Sequence, residues 1–125
     1  MEGSFDRVTL ERLHAAEEVE IETRAAEGAV PHRTIIWIVV DEQDRVFIRS
    51  VRATAGRWYQ EAVAHPGCVL RVAEMAIPVD AVAATDPEQV AACSRELLAK
   101  YAMDPATPSM LREATLPTTL RLLPR

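Results

Sequence analysis

Hydrophobic and polar positions change period several times along the chain, and each change predicts an element. Over residues 4–17, Phe5, Val8, Leu13 and Ala16 follow helical spacing behind Ser4 or Asp6 as a cap, which predicts a first helix across an edge or mouth of a sheet. From Glu18 to Arg24 the period shortens to two. Val19, Ile21 and Thr23 alternate with Glu18, Glu20, Glu22 and Arg24, the pattern of a strand with one buried face and one wet, acidic face. After a turn at Glu27-Gly28, Thr34 to Val40 is almost continuously apolar and predicts a strand buried on both faces. Asp41-Glu42-Gln43-Asp44 ends it. The next strand, Arg45 to Arg52, sets Val46, Ile48, Ser50 and Arg52 on one face and Arg45, Phe47, Arg49 and Val51 on the other, so Arg49 points away from Arg52 unless a bulge intervenes.

Ala55 to Ala64 reads as a short helix stopped by His65-Pro66-Gly67, because proline ends a helical pattern at or before the residue preceding it. Val69 to Val72 and Ile77 to Ala83 alternate as an antiparallel pair with Glu74 near their turn. Thr85-Asp86-Pro87-Glu88 then starts a helix with a cap residue, an early proline and an acid facing the helix dipole. Its stripe of Val90, Cys93, Leu97, Leu98 and Tyr101 packs on the sheet. Beyond the turn at Asp104-Pro105, Thr107-Pro108 opens a short helical segment, and Thr118 to Leu123 closes the fold as a strand. About six short strands with flanking helices predict a mainly β fold, a small, closed or partly closed antiparallel barrel. The expected organisation is a single domain over residues 1–125, with the helix at about 4–17 and the barrel at about 18–123.

Composition narrows the function. A chain of 125 residues buries roughly two-thirds of its unfolded surface without staples. Cys68 and Cys93 stand alone, outside any Cys-x-x-Cys or zinc-ligand spacing, so a reduced, cytoplasmic setting is expected, with Cys93 a small buried hydrophobe in its helical stripe. The acidic first residues lack the apolar core of a signal peptide, and the run from Ile35 to Val40 is far too short for a membrane span, so a soluble protein without a membrane partner is expected. A net charge of -5 argues against nucleic acid. Hydrolysis by a nucleophile lacks its Gly-x-Ser-x-Gly, and His14, His32 and His65 fall in three elements without a His-Glu-x-x-His motif, so no metal is expected.

Against the acidic balance, Arg33, Arg45, Arg49, Arg52 and Arg57 crowd into one short stretch. A GC-rich coding sequence accounts for arginine over lysine elsewhere in the chain; the cluster calls for a flat, anionic ligand, since arginine's fork suits phosphate or carboxylate.

Four segments carry a resemblance: Arg33-Thr34-Ile35-Ile36-Trp37, Arg49-Ser50-Val51-Arg52, Gly56-Arg57-Trp58-Tyr59 and Thr118-Thr119-Leu120-Arg121-Leu122. In this order, from Glu22 to Leu123, the chain resembles the split-barrel flavin and deazaflavin oxidoreductases, the superfamily that includes the pyridoxamine-phosphate-oxidase-like proteins. Within it the chain looks most like a small bacterial branch of unassigned function. The resemblance implies that Arg33, Thr34, Ile36 and Trp37 line the ring site of FMN or a deazaflavin. It implies that Ser50, Arg52, Gly56 and Arg57 approach the phosphate, and that Trp58 and Tyr59 anchor the following helix beside the cofactor. Arginine clamping and a helix start suit that anion. Trp37 and Trp58 read equally as core or dimer-interface residues, and Arg49 or Arg57 as partners of surface carboxylates.

Two departures stand out. The deazaflavin-dependent relatives carry a Gly-Arg-Lys-Ser/Thr-Gly-like turn where this chain has Thr23-Arg24-Ala25-Ala26-Glu27-Gly28, and a glycine pair after the serine where it has Val51-Arg52-Ala53-Thr54-Ala55. Fewer glycines leave less bare backbone for a phosphate. The resemblance implies a flavin- or deazaflavin-dependent oxidoreductase acting on a small organic substrate, working as a homodimer with shared sites. Tyr59 and His65 are the nearest proton-transfer candidates, although His65 also reads as a helix-end residue. Two alternatives stand beside it: a cofactor-free enzyme of isomerase or cyclase type, or a small-molecule-binding protein, using the same cleft; and a non-catalytic dimeric interaction module.

Overall fold

The computed structural model describes residues 4–125. The first helix, α1 (Arg7–Ala15), is capped by Asp6, whose carboxylate accepts from the Thr9 amide at 2.7 Å. Its inward face is Leu10 and Leu13 with Phe5 ahead of it, while Val8 faces solvent. Seven strands follow around the helices: β1 (Val19–Thr23), β2 (His32–Ile36), β3 (Val39–Val40), β4 (Val46–Ile48), then α2 (Arg57–Ala64), the hairpin β5 (Gly67–Val72) and β6 (Met75–Ala83), α3 (Pro87–Lys100), α4 (Thr107–Met110) and β7 (Leu120–Pro124).

All pairings are antiparallel, in the order β2-β1-β5-β6-β7-β4-β3. The two edge strands, β2 and β3, are consecutive in sequence and joined only by Trp37-Ile38, so the sheet curls until its edges lie side by side. This is the small, β-dominated half-barrel that the alternation predicts, with seven strands instead of about six because the run Thr34–Val40 is two strands. Its first half pairs with β1 and its second with β4. Burial on both faces holds beyond the seam, where Ile38 and Val40 enter the barrel and Val39 lies under α3. It fails for β2, an edge whose Arg33 and Ile35 are exposed.

The barrel interior is filled by Ile21, Ile38, Val46, Ile48, Leu70, Val79 and Leu122. A second core, Phe47, Cys93, Leu97, Tyr101 and Met110, separates the outer face of β3-β4 from α3 and α4. The stripe on α3 packs as expected except at Leu98, which is exposed. Thr118 is not in the last strand. The hydroxyls of Thr115, Thr118 and Thr119 bond back to the carbonyls of Arg112, Thr115 and Leu116 at 2.6–2.8 Å, which holds Glu113–Thr118 as a 3-10 turn until β7 begins. The acidic face of β1 is not uniformly wet either: Glu22 is buried beneath Arg33 and Arg71, and their ion pairs hold its carboxyl below the ordinary range despite burial. Among the described residues, no helix is long and apolar enough to cross a membrane.

Candidate functional site

The partner strand does not run to Arg52. β4 ends at Ile48, and from Ser50 the chain turns through a 3-10 segment at Ala53–Ala55 into α2. A cleft of about 680 Å³ opens there, between β2, the Trp37 seam, this loop and the start of α2. Thr34, Ile36 and Trp37 form one wall; Ser50, Arg52, Gly56, Arg57 and Trp58 form the facing wall. Eight of the nine ring and phosphate candidates are thus brought together. The ninth, Arg33, is not: the alternation of β2 turns it opposite to Thr34, and its guanidinium lies 2.8 Å from Glu22 on the far face.

The loop is held from within. The Ser50 amide donates to Thr118 Oγ1 at 3.0 Å, its hydroxyl to the Ala53 carbonyl at 2.8 Å, and Arg112 to the Val51 carbonyl at 2.6 Å. Ala53 sits in the left-handed region at φ 56°, a conformation that favours glycine, at a cost of about 1 kcal/mol. No side chain caps α2, whose N-cap is Gly56, so its first amides are free toward the cleft wall formed by Gly56 and Arg57. A Cβ at Gly56 would stand 2.5 Å from Ser50 Oγ. Gly56→Ala is therefore expected to rotate Ser50 away from Ala53 and cost about 1 kcal/mol, read as a lower thermal midpoint and a weaker cleft ligand.

The floor of the cleft was not foreseen as such. Arg49, 2 % exposed, reaches behind the loop, where Nε donates to Thr119 Oγ1 (3.0 Å), Nη1 to Ser94 Oγ (2.9 Å) and the Met110 carbonyl (3.2 Å), and Nη2 to the Val90 carbonyl (3.1 Å). Every partner is neutral, and burial lowers its pKa from the ordinary value. Arg45 is the contrast. It is clamped by Asp41 at 2.8 Å and Glu88 at 2.7 Å, which keep it firmly protonated, and it does not face the cleft. Among the described residues no ion pair involves Arg49, Arg52 or Arg57; Arg57 adds only a long-range pull on Glu61. Three uncompensated guanidinia thus border one cleft, with Glu18 the single carboxylate in its wall.

Trp37 is fixed from behind. Tyr101 stacks on its indole at 4.0 Å and 6°, and the Tyr101 hydroxyl donates to the Glu17 carbonyl at 2.7 Å. Lys100 donates to the carbonyls of Leu13 and Ile38 at 3.0 and 2.7 Å, tying α1 and the seam to the end of α3; burial pushes its pKa down to about 8. Trp58 is a core residue that also lines the cleft, with Tyr59 edge-on at 6.4 Å. Tyr59 packs on the barrel core and His65 ends α2, so neither lines the cleft. Burial pushes both thiols, Cys68 and Cys93, up to about 11, which leaves no thiolate at neutral pH. Among the described residues no group of three or more His, Cys, Asp or Glu is placed to hold a metal.

The family described as "Uncharacterized protein conserved in bacteria (DUF2255)" matches residues 9–122. No protein of curated function matches by sequence. Among solved structures, ChuZ of Campylobacter jejuni shares 9% identity at a TM-score of 0.73, over 95% of this chain and 52% of its own. HutZ, the heme storage protein from Vibrio cholerae, shares 11% at 0.66, over 98% and 91%. A NimC/NimA family protein from Clostridium acetobutylicum shares 10% at 0.65, over 94% and 80%. At these identities the likeness is one of fold. The chain spans about half the length of the Campylobacter structure.

Proposed function

From a chain that belongs to the bacterial DUF2255 family and carries this cleft, we propose a protein that binds a flat, phosphate-bearing ring, FMN or a deazaflavin, and acts as an oxidoreductase on a small organic substrate. One observation carries the reading: Arg49, Arg52 and Arg57 border one cleft without carboxylate partners, in a protein whose net charge is -5. The donor set fits such a ligand. The volume, about 680 Å³, lies within the range of roughly 300–1,000 Å³ usual for small-molecule and cofactor sites. Ile36, Trp37 and Trp58 give apolar and aromatic walls at one end, and the arginines with the uncapped start of α2 give an anion site at the other.

When bound, the ring would supply the hydride or electron transfer. The chain's own residues do the remaining work. Arg52 and Arg57 hold the phosphate, Thr34 and Ser50 offer hydroxyls along the edge, and Trp37, backed by Tyr101, sets the plane against which a ring lies. The low polarity of the walls keeps water from it.

A second reading is favoured by the loop. Side chains at Val51 to Ala55 and the strained Ala53 leave little bare backbone, which suits a cofactor-free enzyme or binding protein for a smaller anion. Titration of the purified protein with FMN and with a deazaflavin, followed by visible absorption and fluorescence, separates the two. Saturable micromolar binding is expected; no binding of either transfers the cleft to the second reading.

The reading includes a homodimer. The outer edge of β2 is unpaired and carries Ile35, 61% exposed, beside the cleft rim. Sedimentation at micromolar concentration is expected to give twice the chain mass, and a clean monomer would remove any shared site.

A further inference from the structure

We propose that His32 and Glu61 form a proton-transfer dyad beside the cleft, just past its Arg57 end, with His32 exchanging a proton with a ligand that extends beyond Arg57 and Glu61 positioning it. The two residues are 29 apart in sequence, and no motif joins them. The fold brings them together. Glu61 is buried on α2 and accepts from Thr23 Oγ1 at 2.7 Å, while both its oxygens lie 2.9–3.0 Å from His32 Nδ1.

Burial alone would push the Glu61 carboxyl up, but the bonds from His32 and Thr23 outweigh it and its pKa falls below the ordinary value. The carboxylate is therefore ionised at neutral pH and can only accept, so Nδ1 carries a proton. That leaves the Nε2 lone pair free on the opposite side of the ring. The imidazole is 38% exposed, and Nδ1 is the nitrogen turned to Glu61.

The position follows from the two elements that wall the cleft. His32 shares the inward face of β2 with Thr34 and Ile36, one alternation step, about 7 Å, from Thr34. Glu61 stands one helical turn, about 5.4 Å, beyond Arg57 on α2. The dyad thus lies beyond the Arg57 end of the cleft, next to its lining and not in it, where a ligand that extends past Thr34 and Arg57 would reach His32.

The step is a simple one. A ligand O–H or N–H gives its proton to His32 Nε2, the electron pair stays on the ligand atom, and the imidazolium formed lies against the Glu61 carboxylate; the reverse transfer returns it. The ligand class is an anion, held by Arg52 and Arg57, that also carries an acidic hydroxyl, enol or amide N–H. The inference rests on the cleft being a ligand site and does not require the ring.

Nitrogen NMR of the full chain with isotope-labelled histidine tests it, with the exposed His14 as internal reference. The neutral His32 is expected to be the Nδ1–H form with a bare Nε2, and Glu61→Gln, which keeps the shape and the bond from Thr23, is expected to shift it to a mixture like that of His14. An Nε2–H form in the native protein, or no change in Glu61→Gln, overturns the dyad. If the variant does not fold, the native tautomer alone decides. Addition of FMN forms a second arm: FMN that binds but leaves the His32 Nε2 resonance unmoved overturns the dyad's access to the ligand. Absence of both FMN and deazaflavin binding overturns the ring reading instead, and the tautomer then decides the dyad by itself.

Discussion

Replacing Arg52 and Arg57 together by alanine is expected to weaken FMN binding by about 3–6 kcal/mol, roughly 10²–10⁴-fold, because each loses a charge-assisted bond worth about 1.5–3 kcal/mol. The loss is that large only if the pair meets the phosphate directly. Both side chains are exposed and neither joins an ion pair among the described residues, so no salt bridge there has to be broken for either to meet a phosphate. The same exposure means the fold is indifferent to their removal, to within about 0.5 kcal/mol. Isothermal titration together with thermal unfolding separates the effects: a large loss of affinity at constant melting temperature is expected. Unchanged affinity would return both arginines to the solvated surface.

Arg49→Ala should do the reverse, damaging stability first. The side chain ties β4 to α3, α4 and the start of β7 through Ser94, Val90, Met110 and Thr119, with the Met110 and Thr119 acceptors buried and those of Ser94 and Val90 half-buried. Truncation leaves them without a donor and opens a void beneath the cleft. The expected cost is about 3–5 kcal/mol, a fall of roughly 10–20 °C in melting temperature for a chain of this size. Arg49→Lys is expected to recover little, because one ammonium cannot span acceptors set around a planar fork. A change below about 1 kcal/mol on calorimetry would mean that water replaces the guanidinium and that Arg49 is not a structural tie.

The elements legible in the sequence were those whose period was unambiguous. The alternation of Val19, Ile21 and Thr23 and the cap at Asp86 both reappear in place, Asp86 accepting from the Gln89 amide. The run from Thr34 to Val40 was misleading for a physical reason: it serves two edges of one curled sheet, and a continuous apolar run does not show where the chain leaves one strand partner for another. The face assignment holds as far as Arg49, with Ile48 in the barrel and Arg49 on the side of Phe47, and ends there. β4 stops at Ile48, so Ser50 and Arg52 reach the cleft by a turn, with Arg49 beneath them on the α3–α4 side.

The walls of the cleft were largely readable because they fall in three short segments. Its charge balance was not, since the absence of a carboxylate near Arg49 and the burial of Glu22 under two arginines depend on pairs far apart in sequence. The pairing of His32 with Glu61 escaped for the same reason. The available signal was slight: Glu61 lies one turn after Arg57, on the side of α2 that faces β1 and β2.

The most direct test of the account is a side-by-side titration of the protein with FMN and with riboflavin, which carries the same ring without the phosphate. The account predicts saturable micromolar binding of FMN, at least about tenfold tighter than riboflavin, since one charge-assisted bond is worth about that much. Equal affinities for the two, or no binding of either FMN or a deazaflavin, would contradict it.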